Sequence, residues 1–129
     1  MKDEKVQDLR VRTKEFALRI IRLYTSLPKT TEAQVIGRQV LRSGTSVGAH
    51  YREANRAKSD ADFINKIEGA LQELDETAYW FELLVESGIV IAEKLAPLIK
   101  ETDELIAIFV TIVTKIKDRL NKSKGKGAG

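Results

Sequence analysis

In four stretches of this chain, apolar residues recur at steps of three and four, the spacing that gathers them on one face of an α-helix. The first runs from about Glu4 to Ser26. Its seam of Val6, Leu9, Thr13, Phe16, Ile20, Leu23 and Leu27 keeps the 3.5-residue repeat of bundle packing without a slip. Leu27-Pro28 ends it, because a residue before proline is pushed out of helical backbone geometry. The second, capped by Thr30 or Thr31 and reaching about Lys58, carries Ile36, Val40, Val47 and Ala54. Ser59 or Asp60 opens the third, from about Ala61 to Glu86, with Ile64, Ile67, Leu71, Leu74, Ala78, Phe81 and Val85 as its seam. Ser87-Gly88 is a stop signal. The last stretch, about Ala92 to Asn121, uses Leu95, Leu98, Thr102, Leu105, Phe109, Ile112, Ile116 and Leu120, and Pro97 is expected to kink it or to mark its true start. Short connections between such seams predict an all-α, up-down-up-down antiparallel four-helix bundle over residues 1–121, with 122–129 as a flexible basic C-terminal tail.

Some faces carry more than a bundle needs. In the second stretch Arg38, Arg42, Arg52 and Arg56 fall within an arc of about 80°, nearly opposite the apolar line. Arg38 and Arg56 almost eclipse each other, about 27 Å apart along the axis. Guanidinium groups repeated on one exposed face suit a polyanion better than a small substrate. In the third stretch Tyr79, Trp80 and Leu83 lie away from the seam, and in the fourth Ile106, Val110 and Val113 widen the apolar arc. Surplus apolar faces are usually buried by something, and a homo-oligomer is the simplest account of these six positions. Gly37, Gly44 and Gly48, beside the apolar line of the second stretch, predict the close approach of a neighbouring helix. A local break near Gly44-Thr45-Ser46, or backbone offered to a phosphate, is the competing explanation.

Charge sharpens this picture. The chain has a net charge of +3, but residues 29–58 carry +4 and residues 59–87 carry −7, which gives a small fold a basic and an acidic side. The arginines therefore have two other possible uses, ion pairs with those acids across a protomer boundary and plain solubility. Cysteine is absent, so disulfides, Cys-ligated zinc, iron–sulfur clusters and thiol nucleophiles are excluded. The start, MKDEKVQDL, has charges where a signal peptide needs an apolar run, and Leu105–Val113 is too short to span a bilayer. A cytoplasmic protein without a membrane partner is expected.

The segment Arg38-Gln-Val-Leu-Arg-Ser-Gly-Thr-Ser-Val-Gly-Ala-His-Tyr-Arg-Glu-Ala54, followed by Ala57-Lys-Ser-Asp-Ala-Asp-Phe-Ile-Asn65 and Glu76-Thr-Ala-Tyr-Trp-Phe-Glu-Leu-Leu84, resembles the four-helix bundle proteins encoded by intervening sequences of bacterial 23S rRNA genes. The resemblance runs from about Phe16 to Lys117. It is specific in the second helix and the Ser59–Ile64 junction, and generic elsewhere. That family is similar to the accessory variability determinant of diversity-generating retroelements, a five-membered ring with a basic surface that binds nucleic acid and a reverse transcriptase. The resemblance implies a homopentamer and a non-enzymatic, RNA-binding role. It places the family's basic positions on Arg38, Arg42, Arg52 and Arg56, with Lys58 following, and its acid on Glu53. Position 50, commonly Asn in the family, is His50 here.

Enzyme chemistry has weaker support. A carboxylate-bridged dimetal bundle needs two Glu-x-x-His pairs, and the chain has one histidine, in His50-x-x-Glu53. The pairs Glu73/Glu76 and Glu101/Glu104 match the spacing of magnesium-dependent nucleotide hydrolases. Glu73, Glu76 and Glu104 are nevertheless expected to project off their seams, whereas a hard cation needs several oxygens converging at once. No Ser/His/Asp order appears, and Gly44-x-x-x-Gly48 lacks the Lys-Ser/Thr of a phosphate loop. The expected protein uses no metal or cofactor. It is an oligomer binding RNA or single-stranded nucleic acid without base readout through Arg38, Arg42, Arg52, Arg56 and Lys58. The other two readings are a protein-interaction scaffold of the reverse-transcriptase accessory type and a magnesium-dependent nucleotide hydrolase.

Overall fold

The structure, a computed structural model, describes the backbone of residues 2–128 and the side chains of residues 8–124. It is built of α1 (Lys2–Ser26), α2 (Thr31–Asn55), α3 (Asp60–Glu86) and α4 (Ala92–Ala128). The caps explain the boundaries. Thr30 is extended, and its hydroxyl accepts from the Ala33 amide, one of the orphan donors at the α2 N-terminus. Ser59 does the same for Asp62 at the start of α3. α3 stops at Gly88, whose φ of 77° is open to glycine at little cost, and the Ile89 and Val90 amides fold back onto the Leu84 carbonyl. α2 is continuous through Gly44-Thr45-Ser46. Pro97 sits inside α4, five residues past its start, so it does not mark the helix's beginning. α4 also continues past residue 121, where a tail was expected, to Ala128.

Successive helices pack side by side, α1 on α2, α2 on α3 and α3 on α4, and α1 touches α4 least. Rising α2 numbers meet falling α3 numbers from the pair Ser43–Thr77 to the pair Glu53–Lys66, which fixes the antiparallel sense. The arrangement is an up-and-down four-helix bundle. Leu9, Phe16, Ile20, Leu23, Leu27, Val40, Val47, Ile67, Leu74, Phe81, Leu95, Leu105 and Phe109 fill its interior, and Tyr51 of α2 stacks on Phe109 of α4 at 5.7 Å. Among the described residues no helix is long and apolar enough to cross a membrane.

The seam of α1 is buried as its spacing predicts from Leu9 onward, and the Val6 side chain lies outside the described residues. α3 is rotated from expectation. Ile64, Leu71 and Val85 are only half-buried, while Ala70, Glu73, Thr77 and Leu84 turn into the core. The small α2 surface that α3 meets explains this. Ser43 and Thr77 hydroxyls lie 2.7 Å apart, and both residues are fully buried. Because Thr77 spends its proton on the Glu73 carbonyl at 2.8 Å, Ser43 is the donor between them. Gly37, Gly44 and Gly48 line the other flank of α2, towards α1. A Cβ at Gly44 would stand 2.7 Å from Ile20 Cγ1, so glycine is what lets these helices approach.

Candidate nucleic-acid interface

α2 is flanked by α1 on its glycine side and by α3 on its serine side, which leaves one face free. Arg38, Arg42, Arg52 and Arg56 are exposed on that face, and Lys58 is exposed just beyond its end. The amphipathic pattern causes this. With Val40, Val47 and Ala54 buried, residues half a turn away are driven into water.

The row is not electrostatically uniform. Arg42 reaches Glu76 at 3.0 Å and Glu73 at 3.5 Å, both on α3. Glu73 was expected to point away from its seam. It is instead buried, because the α3 rotation brings it under Arg42, and its carboxylate is covered down to 11% side-chain exposure. The competing use foreseen for the arginines, pairing with third-helix acids, is therefore met at Arg42, but within one protomer. Among the described residues no acid bridges Arg38, Arg52, Arg56 or Lys58 within 4.0 Å. Glu53, the acid nearest in sequence to Arg52, is answered by Lys66 at 3.4 Å. Arg10 of α1 adds a cation beside this end of α2. Burial raises the Tyr51 hydroxyl above its usual pKa, and Arg10 and a hydrogen bond with Asn55 oppose that rise. The exposed cations thus gather at Arg52, Arg56, Lys58 and Arg10, with Arg38 further along the ridge.

His50 lies on the α3 flank of α2, packed over Gly69, where a Cβ would stand 3.1 Å from its Nδ1. Among the described residues that buried nitrogen has no hydrogen-bond partner, nor does Trp80 Nε1. The Glu73/Glu76 pair faces a guanidinium, and Glu101 accepts from Arg12 at 2.6 and 3.1 Å. Among the described residues no group of three His, Asp or Glu side chains is placed to hold a metal.

The six positions foreseen as surplus apolar surface separate. Tyr79 and Val110 are well exposed, at 52% and 47%. Trp80 and Ile106 are half-buried against the core, and Leu83 is half-buried. Val113 belongs to the core at 7% exposure and offers no outer surface. After Phe109 a step of four, not three, faces inward, so Val113 replaces Ile112. An apolar strip on α1 was missed: Val11 (59% exposed), Leu18 and Ile21. The signal was present, since Val11 and Leu18 are seven apart and lie opposite the Leu9–Phe16 line.

Residues 7–111 match the family of the 23S rRNA-intervening sequence protein. The chain is 40% identical to a protein of unknown function from the S23 ribosomal protein family of Bacteroides thetaiotaomicron, whose crystal structure superposes with a TM-score of 0.79 over 88% of this chain and 99% of that one. No curated protein matches.

Proposed function

This chain belongs to the 23S rRNA-intervening sequence protein family, and from that premise we propose a non-enzymatic, oligomeric helical bundle that binds the RNA backbone through the outer face of α2. The observation that carries this reading is the set Arg38, Arg52, Arg56 and Lys58, exposed and without a bridging acid among the described residues. Such a row neutralises phosphates and reads no bases, so affinity should fall steeply with salt. Copies of a weak stripe in one assembly multiply its effect by avidity. The resemblance to a five-membered ring makes a homopentamer the assembly to test, with Tyr79, Val110 and the α1 strip as its exposed apolar surfaces.

The test is RNA binding against salt for the natural chain and for Arg38→Gln/Arg52→Gln/Arg56→Gln. The triple variant should flatten the log–log slope by about 2 to 2.7, roughly 0.7–0.9 for each lost phosphate contact. An unchanged slope, or no binding at low salt, refutes the reading.

A second reading, a scaffold for a protein such as a reverse transcriptase, is favoured by those same apolar surfaces. Recovery of one defined partner after nuclease treatment, lost on Val11→Ser/Leu18→Ser, supports it. Native mass spectrometry gives the stoichiometry either way.

A further inference from the structure

We infer, resting on the reading above, that the α2 ridge is shaped for the minor groove of an A-form RNA duplex rather than for a single strand. The first ground is the distribution of charge along the ridge. Arg38 stands at one end, with Arg42 beside it held by Glu73 and Glu76, and Arg52, Arg56 and Lys58 stand at the other. From Arg42 to Arg52 the outward face has no cation over about 15 Å of helix. A single strand offers phosphates continuously and is matched by continuous charge. A duplex offers two phosphate walls with a groove between them, which suits charged ends and an uncharged middle.

The second ground is the chemistry of that middle. Its outward residues are Thr45 and Ala49, and their small side chains let the helix settle against a shallow floor. The A-form minor groove is wide and shallow, and it displays 2′-hydroxyls. Thr45 Oγ1 donates its proton to the Leu41 carbonyl at 2.7 Å. Its remaining capacity is as an acceptor, the complement of a 2′-hydroxyl donor. Ser46, at the edge of the ridge, is arranged alike, donating to the Arg42 carbonyl at 2.7 Å.

The third ground is where the aromatic rings lie. Sequence-tolerant single-strand binding draws on rings that stack with bases inside a cationic groove. Tyr51 is in the core, Tyr24 is half-buried with its hydroxyl on Gln34 at 3.1 Å, and Tyr79 stands on α3 among Asp75, Glu76 and Glu82. Those acids, three or four residues from Tyr79, oppose a phosphate backbone there.

Fluorescence anisotropy with a labelled RNA duplex, its single strand and the DNA duplex of the same sequence tests the inference. The natural chain should bind duplex RNA about tenfold tighter than either competitor. Ala49→Arg, at an exposed position, fills the charge gap and raises the floor of the ridge. It should erase the preference for duplex over single strand. Thr45→Val, which removes the acceptor, should bring RNA and DNA duplexes to equal affinity while circular dichroism stays unchanged. A single strand bound as tightly as the duplex, or a DNA duplex bound as tightly as RNA, overturns the inference and leaves the reading beneath it standing. Failure to bind any of the three overturns both.

Discussion

α1 is held on its two sides in opposite ways. Towards α2, Thr13, Ile20, Tyr24 and Leu27 press against Gly48, Gly44 and Gly37, with side chain resting nearly on backbone. Towards α4, Arg12 donates to both oxygens of Glu101, and near one end of the bundle the helices part into a groove of about 310 Å³. Arg19, Arg22, Leu23, Lys94, Pro97 and Leu98 line that groove. One apolar seam on α1 serves both contacts, so what differs is the bulk the partner presents. Glycine allows close approach, whereas Pro97 and Leu98 line the groove on the other side, where the Arg12–Glu101 ion pair and the Lys94–Ser26 hydrogen bond at 3.4 Å join α1 to α4. The first contact therefore depends on volume and the second on charge.

The strongest way to break this contrast is to put volume where none is tolerated. Gly44→Leu should destabilise the bundle by roughly 3 kcal/mol or more, at the upper end of overpacking costs. Gly44→Ala is the finer version. Alanine gains about 1 kcal/mol of helix propensity, but its Cβ would stand 2.7 to 3.0 Å from three atoms of Ile20, and the clash should win. Ile20→Ala removes all three of those atoms; it costs about 2–5 kcal/mol on its own, and Ile20→Ala with Gly44→Ala should cost less than the sum of the two single changes. Urea unfolding of the four proteins reads the coupling. Additive effects would mean that α1 and α2 do not meet through Gly44.

The same contrast explains how much of the molecule was legible in its sequence. α1 reads directly because its core positions are large and apolar and meet no polar exception but Thr13. The flank of α2 that meets α3 is small and polar, so a search for apolar spacing places α3 with Leu71 and Val85 inward. The Ser43–Thr77 hydroxyl pair and the buried Glu73 turn it the other way. Exposure of the arginine row follows from one helix's own periodicity and was legible. The tethering of Arg42 depends on the register between two helices, which no single helix encodes. Val113 illustrates a slower effect, a drift between the repeat of the pattern and that of the helix that shows only late in α4.

The charge-dependent seam should respond less. Arg12 and Glu101 keep 27% and 16% side-chain exposure, so part of their attraction is screened. Arg12→Met should cost about 1 kcal/mol, more than a typical surface pair because a partly covered carboxylate loses two donors. The hydrogen bond with Glu101 raises the guanidinium above its ordinary pKa, against the effect of burial. Its stabilisation is fully present below its already very high unfolded value, so Arg12 itself adds no pH dependence in the working range. Arg42→Gln, by comparison, removes a side chain that is 55% exposed and that hydrogen-bonds the more open Glu76, with the covered Glu73 at 3.5 Å a looser charge contact, and should cost less than Arg12→Met, below about 1 kcal/mol. Equal losses for the two would dissolve the distinction between a bridge and a surface tether.

The smallest effect is expected at Tyr51, where α1, α2 and α4 come together. Its ring stacks on Phe109 of α4, and Asp8 and Arg10 of α1 act on its hydroxyl. Burial is the main cause holding that hydroxyl above the usual value near 10, with Asp8 adding to it and Asn55 and Arg10 opposing. The unfolded chain therefore releases this proton first as pH rises. Stability is unaffected below about pH 9, then falls as pH passes the unfolded value towards the folded one. Tyr51→Phe removes that proton while keeping the ring, so the variant should gain on the natural chain above about pH 10, whatever its constant offset at neutral pH. Thermal melts of the pair from pH 8 to 11 measure the difference, with Tyr24 and Tyr79 common to both proteins. Parallel curves across that range would mean that water reaches the hydroxyl, and that the α1–α4 side stays open at the residue where it should close against α2.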